Sequence, residues 1–278
     1  MNAGVETTDH PSIVYYDSDY PSKQFSVYPE NFDDIVAFQG LANDVDKYLQ
    51  LAGLAGPKIL DLCCGTGRIT LPLAAAGYKV TGVDFCESFI EQLQTKLKTL
   101  DEKTTGNVSL VAQDITKLSL KEHQFDLAIC GFNSLLCITD HLNQQKALDA
   151  IAKHVRKDAV LALDLMNPFI LNWAGDPVPK PFFNRRNPHT GNFYTRFAAM
   201  GPLLVDQRQK LYGWYDEIVQ DGTVKRQVYE IYWRPVFRYE IELMLEKAGF
   251  KIKNIYGGHQ NEPFTTQSRK MFIEAVKL

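Results

Sequence analysis

The chain has 278 residues, 45% hydrophobic and 23% charged, with a formal net charge of −3, a composition that excludes disordered, collagen-like and disulfide-scaffold classes. An overall acidic balance without a basic stripe argues against a nucleic-acid partner. No segment approaches the roughly 18 uninterrupted apolar residues of a membrane span, and MNAGVETTDHPSIVYYD has no basic stretch leading into an apolar one, so a cytoplasmic protein with no membrane partner is expected.

Cys63, Cys64, Cys86, Cys130 and Cys137 are odd in number, and most fall in apolar strand-like runs, so no disulfide framework is implied. No metal site is expected either: Cys63 and Cys64 lack the two-residue gap of a zinc knuckle, and the histidines are scattered. Residues 1–40 hold one basic residue against seven acidic, and residues 167–235 hold nine against six. The same segments concentrate aromatics, with Tyr15, Tyr16, Tyr20, Phe25 and Tyr28 in the first and Trp173, Trp214 and Trp233 in the second. The expected organisation is an N-terminal lid segment (1–40), a core (41–166 and 236–278) and an inserted cap (167–235).

In chain order, Pro57 to Cys63 reads as a strand running into turn chemistry, and Ile69 to Ala76 as a helix stopped by Gly77. A strand over Lys79 to Val83, an amphipathic helix over Glu87 to Leu100, and strands over Val108 to Ala112 and Phe125 to Cys130 follow. Leu142 to Val155 is helical and Ala159 to Met166 is a fifth strand. Strands and helices alternating at this spacing predict an α/β fold, a doubly wound Rossmann-like sheet with right-handed crossovers. After Met166 prolines crowd the chain, and short aromatic runs separated by turns such as Asp221-Gly222 predict an antiparallel β insertion. A helix over Glu240 to Ala248 and strands over Phe250 to Tyr256 and Lys270 to Val276 complete seven core strands.

The run Ile59-Leu60-Asp61-Leu62-Cys63-Cys64-Gly65-Thr66-Gly67-Arg68 joins the first strand to the first helix. Glycines there let a ligand approach free backbone N–H groups. The dinucleotide pattern G-x-G-x-x-G fails, because Cys63 and Arg68 stand at two of its three glycine places. Asp61 inside the strand is awkward for an anionic pyrophosphate and suits a cationic ligand. Asp84 ends the second strand, where a carboxylate accepts ribose hydroxyls. Asp114 ends the third strand, placed to meet an exocyclic amine while Phe85 and Ile115 sandwich a flat ring. Together the three acids describe a site for a nucleoside carrying a positive group; singly, each is also an ordinary cap or turn residue.

ILDLCCGTGR, VTGVDF, VAQDI, FDLAICGFNSLLCI and RYEIELMLEKAGFKIKNIYGG resemble the successive motifs of class I S-adenosylmethionine-dependent methyltransferases of the small-molecule branch, from about Tyr15 to Leu278. The resemblance implies S-adenosylmethionine as cofactor. It implies that Asp61, Gly65 and Gly67 hold the methionine end, Asp84 the ribose, Phe85 and Ile115 the adenine faces, Asp114 the adenine amine, and Phe132 the floor beside the sulfur. Cys63 departs from the family, which most often has glycine there.

In-line transfer of a sulfonium methyl needs a positioned nucleophile and, for an ammonium or hydroxyl, loss of a proton. Candidate catalytic residues are Asn133, Tyr194 and His141, with Ser134 beside the first; candidate substrate contacts are Tyr20, Arg196, Tyr212, Trp214, Trp233 and Arg234. No D/N-P-P-Y/F turn follows the fourth strand, where GFNSL stands, which again disfavours nucleic acid. The expected substrate is a small metabolite, with amine nitrogen ahead of hydroxyl oxygen. The N-terminal tyrosines would form the lid and the insertion would line the acceptor pocket. The alternatives are a cyclase that releases methylthioadenosine from the cofactor, a non-catalytic cofactor-binding module, and a nicotinamide dehydrogenase. The sequence leaves the acceptor and the oligomeric state open.

Overall fold

The computed structural model describes residues 10–22, 24, 25 and 44–278. The elements run α1 (Pro11–Asp19), α2 (Asp44–Ala55), β1 (Lys58–Leu62), α3 (Thr70–Ala75), β2 (Lys79–Asp84), α4 (Glu87–Leu97), α5 (Glu102–Thr105), β3 (Val108–Ala112), β4 (Phe125–Cys130), α6 (His141–His154) and β5 (Val155–Met166). They continue as β6 (Asp176–Arg186), β7 (Phe193–Leu203), β8 (Gln209–Ile218), β9 (Val224–Trp233), α7 (Arg238–Lys247), β10 (Phe250–Tyr256) and β11 (Lys270–Lys277). Two compact units result, one of Asn43–Ile170 with Val236–Leu278, the other of Met1–Ala42 with Leu171–Pro235.

The larger unit holds a seven-stranded sheet in the order β10-β11-β5-β4-β1-β2-β3. The strands from β5 to β3 are parallel, and β11 runs antiparallel to both β5 and β10. The chain leaves β1 toward β2 and later returns to β4 on the other side, so the switch point of the sheet lies between β1 and β4. Apolar side chains fill both faces of the central strands, as a sheet flanked by crossover helices requires. Tyr48 and Leu51 of α2, Leu73 of α3, Ile59, Val80, Leu127 and Ile129 of the strands, and Phe272 of β11 form one buried cluster.

β3, β4 and β10 coincide with the expected runs to the residue. The helix expected to reach Leu100 ends at Leu97, because Asp101 starts a separate turn by accepting the N–H of Thr104 at 2.9 Å. β5 begins at Val155 rather than Ala159, pairing with Phe125 ahead of a register shift. The sequence reading named no helix at α2.

His154 closes α6 with both ring nitrogens engaged: Nδ1 donates to the Ala150 carbonyl at 2.8 Å and Nε2 accepts the Leu120 N–H at 3.0 Å. Burial lowers its pKa, with the Ala150 bond opposing and nearby His123 adding to the effect. A neutral ring is required in the fold, so its contribution to stability is full above the unfolded pKa of about 6.5 and declines as pH falls below it. Urea melts between pH 8 and pH 5 are expected to show that decline, and a His154→Leu variant, weaker at pH 8, is expected to lose this part of the slope.

The smaller unit is a four-stranded antiparallel sheet, β6-β7-β8-β9, with α1. Pro177, Pro179 and Pro181 all lie in β6, which is an edge strand, the place where a missing N–H is tolerated. Gly213 is obligatory in β8: a Cβ there would lie 1.9 Å from the Phe197 carbonyl oxygen of β7. Within this unit α1 is tied to the sheet by buried polar groups. Asp19 accepts from Tyr194 Oη at 2.6 Å, Tyr215 Oη at 2.7 Å and Arg196 Nη1 at 2.9 Å. Tyr15 donates to Glu217 at 2.7 Å and stacks on Tyr215 with ring centroids 4.2 Å apart. Tyr28 and most of the expected lid lie outside the described residues.

Candidate cofactor site

Beyond Leu62 the backbone turns left-handed at Cys63 (φ +57°), Gly65 (+55°) and Gly67 (+88°) before α3 begins. Glycine adopts this conformation without penalty, whereas at Cys63 it costs on the order of 1 kcal/mol. Gly67 is fixed by packing as well, since a Cβ would fall 2.3 Å from Leu93 Cδ1 of α4. Gly67→Ala is expected to destabilise the protein by about 2–4 kcal/mol, the sum of overpacking and backbone strain. A thermal melt checks it: an unchanged midpoint would mean that α4 yields at no cost.

Asp84 holds the loop from the second strand. Its Oδ2 accepts the N–H of Gly65 at 2.8 Å and its Oδ1 the N–H of Cys86 at 2.9 Å. Burial raises its pKa, and these backbone donors pull it back. Asp61, also buried, accepts from Thr70 Oγ1 at 2.6 Å. Burial pushes its carboxyl up to about 7, against the Thr70 hydroxyl and the Arg68 guanidinium, which pull down, while Asp84 pushes up.

At the next strand end the Gln113 N–H donates to the Asp84 carbonyl at 2.9 Å, which brings Asp84, Phe85, Asp114 and Ile115 to one edge of the sheet. Phe85 is 53% exposed and Ile115 is buried, so one apolar wall faces solvent and the other is set into the fold. Asp114 accepts the Thr116 N–H at 2.8 Å, so it acts as a local cap whatever else it binds.

β4 ends level with β1, Cys130 opposite Leu62. Phe132 (φ +48°) and Asn133 (+63°) then make two successive left-handed turns. Such backbone strain in non-glycine residues clusters at functional sites. The Asn133 N–H donates to the Asp164 carbonyl at 2.8 Å. Its side chain is 7% exposed, and Oδ1 has no hydrogen-bond partner. A buried acceptor left unsatisfied costs about 1–3 kcal/mol and calls for a ligand or water. The Phe132 ring lies 5.5 Å from the Arg68 guanidinium and 5.4 Å from Lys270 Nζ.

The expected cofactor residues Asp61, Gly65, Gly67, Asp84, Phe85, Asp114, Ile115 and Phe132 thus come from consecutive loops at the carboxyl ends of β1 to β4, with Asn133 beside them. Ser134 donates to the Gly131 carbonyl at 2.7 Å and caps the same turn. His141 is exposed at the start of α6. The remaining candidates belong to the smaller unit. Tyr194 and Arg196 bind Asp19, and Tyr20 Oη accepts from Arg196 at 2.9 Å, so all three hold α1 in place. Trp214 stacks on Phe197 at 5.1 Å beneath Arg226, Tyr212 reaches the Pro177 carbonyl at 3.3 Å, and Trp233 ends β9 opposite Gln209. Arg234 donates to Gln207 at 2.7 Å.

Sequence reasoning passed over a buried charge cluster in the larger unit. Asp164 of β5 meets Lys270 Nζ at 3.0 Å and His259 Nε2 at 3.2 Å, and Arg68 meets Asp44 at 2.6 Å. The available signal was an acid standing alone in the apolar run Val160-Leu161-Ala162-Leu163-Asp164-Leu165-Met166.

Residues 59–158, which carry the loops at the ends of β1 to β4, match a known family, a methyltransferase domain. The demethylmenaquinone methyltransferase of Staphylococcus aureus is 35% identical over 211 residues, 73% of this chain and 73% of that protein. A S-adenosylmethionine-dependent methyltransferase from Clostridium acetobutylicum has the same fold, with TM-score 0.73 and 17% identity over 89% of this chain and 98% of that one. The sugar N-methyltransferase KedS8 from Streptoalloteichus sp aligns with TM-score 0.68 and 16% identity over 88% and 92%. The chain belongs to the S-adenosylmethionine-dependent methyltransferases of class I fold, and S-adenosylmethionine is its cofactor. The residues present fit that molecule: oxygen acceptors at three strand ends, a glycine-bearing left-handed turn after β1 and an exposed aromatic wall.

Proposed function

We propose that the protein methylates an amine nitrogen of a small metabolite. The observation that carries this reading is Asn133 Oδ1, a buried acceptor that can be satisfied only by an N–H or O–H donor, standing next to Phe132 at the end of β4. An amine keeps an N–H for that bond while its lone pair faces the methyl group; a singly protonated hydroxyl oxygen that gives its proton away has none left to offer. When bound, S-adenosylmethionine supplies a sulfonium methyl that needs no activation by the protein. The chain's own work is to hold: Asp84 and the glycine turns for the nucleoside, Asp61 for the positive methionyl end, Phe132 and Asn133 for the reacting groups. The fold shared with a sugar N-methyltransferase supports a nitrogen acceptor, and the relative named for demethylmenaquinone supports a small molecule.

Incubating the protein and S-adenosylmethionine with a small-metabolite extract is expected to give extract-dependent S-adenosylhomocysteine and an amine heavier by one methyl. A methylated hydroxyl would overturn the nitrogen assignment, and methylthioadenosine formed without extract would establish the cyclase. With the acceptor in hand, Asn133→Ala is expected to lower turnover about tenfold, one hydrogen bond of roughly 1.5 kcal/mol, with cofactor affinity retained.

A further inference from the structure

Thr70 is the first residue of α3, has no solvent exposure, and donates its hydroxyl to Asp61 Oδ2 at 2.6 Å. The strands flanking Asp61 offer it no side-chain donor, because its register partners are Gly82 in β2 and Ile129 in β4. The charged and titratable groups that face it are Arg68 from the loop, Asp84 from β2, Cys64 from the same turn and Tyr48 from α2. Arg68 is already paired with Asp44 at 2.6 Å. The Thr70 hydroxyl bonds this carboxylate directly from the first turn of α3.

We propose that Thr70 is a positioning residue for the cofactor: its hydroxyl fixes the orientation of the Asp61 carboxylate and favours its ionised form, so that the positive methionyl end meets an oriented negative charge. The inference rests on the placement of that end at Asp61. A carboxylate whose pKa burial has raised is sensitive to a single bond. An O–H donated to the carboxylate favours the charged form, and removing the donor favours the neutral one. Binding a cation beside Asp61 does the reverse and expels its proton. Cofactor binding is then linked to pH, with affinity rising as Asp61 ionises, and Thr70 sets where that rise occurs. A threonine that only filled space would affect affinity equally at every pH.

The test is calorimetric titration of the full chain with S-adenosylmethionine between pH 5.5 and pH 9, in two buffers of different ionisation enthalpy, so that protons released are counted without an acceptor. The wild type is expected to bind more tightly as pH rises through neutrality and to release a proton at the lower pH values. Thr70→Val is expected to move that rise upward, binding about tenfold more weakly at pH 7 while approaching wild-type affinity at pH 9. Thr70→Ser, which keeps the donor, is expected to restore the wild-type profile and guards against a fold defect in the valine variant. A Thr70→Val loss of equal size at every pH, or a serine variant that behaves as valine, would overturn the role of Thr70. Asp61→Asn separates the two layers: proton release unchanged in that variant would remove the cofactor from Asp61 itself, whereas its disappearance, with an unshifted Thr70→Val profile, would reject Thr70 alone.

Discussion

Asp84→Ala is expected to abolish measurable S-adenosylmethionine binding in a protein that remains folded. The carboxylate binds the Gly65 and Cys86 N–H groups at 2.8 and 2.9 Å, so it fastens the loop after β1 to the end of β2. A charge-assisted hydrogen bond contributes about 1.5–3 kcal/mol, and truncation removes the two acceptors proposed for the ribose hydroxyls as well as the anchors of the loop. A loss of about 3–6 kcal/mol corresponds to roughly 10²- to 10⁴-fold in affinity. Calorimetry beside far-ultraviolet circular dichroism measures it, and normal binding by a folded Asp84→Ala protein would sink the assignment. Asp84→Asn is the discriminating companion. It keeps one acceptor oxygen but gives up the charge, so an intermediate loss is expected, and equal losses in both variants would mean that the charge carries the whole effect.

The strand ends were legible because their chemistry is local. Asp61, Asp84 and Asp114 lie within or one or two residues past runs whose apolar pattern marks the strands, with Gly65 and Gly67 in the turn after the first, and parallel register brings consecutive ends level: Leu62 with Cys130, Asp84 with Ala112. Cys63 shows what a motif comparison alone misses: it keeps the left-handed backbone that glycine would adopt there, so the loop retains its course despite the substitution. Groups that pair across the chain were not legible. Tyr194, a candidate catalytic residue, and Arg196, a candidate substrate contact, both bind Asp19, 175 and 177 residues earlier. No periodicity or spacing encodes such a pairing. Helix α2 was missed because DVDKYLQLAGLA carries weak local signals; its place comes from Tyr48, Leu51 and Ala52 packing into the core.

Asp164→Ala is expected to lower stability by about 3–5 kcal/mol, the range for breaking a buried ion pair from one side. In a chain of this size that shifts the thermal midpoint by on the order of 10 °C. Asp164 is fully buried between Lys270 and His259, whose side chains are 7% and 3% exposed. Burial alone would raise its pKa, but the Lys270 ammonium and the His259 hydrogen bond hold it well below the ordinary carboxylate range. The stabilisation is therefore complete above the unfolded pKa of about 3.9 and is lost as pH falls through the lower folded value. Alanine strands the Lys270 charge over the Phe132 ring, 5.4 Å away, with its counter-ion gone. Removing both ions, as in Asp164→Leu with Lys270→Met, is expected to be less damaging than Asp164→Ala alone, since the penalty lies in the uncompensated charge. Denaturant melts of the three proteins decide it: a double variant weaker than the single one would mean that the pair itself, rather than its balance, stabilises the fold. Lys270, the partner of Asp164, lies over Phe132, the neighbour of Asn133, which couples this cluster to the turn that presents the unsatisfied Oδ1. A folded Asp164 variant is accordingly expected to lose methyl transfer to the acceptor more than it loses cofactor affinity.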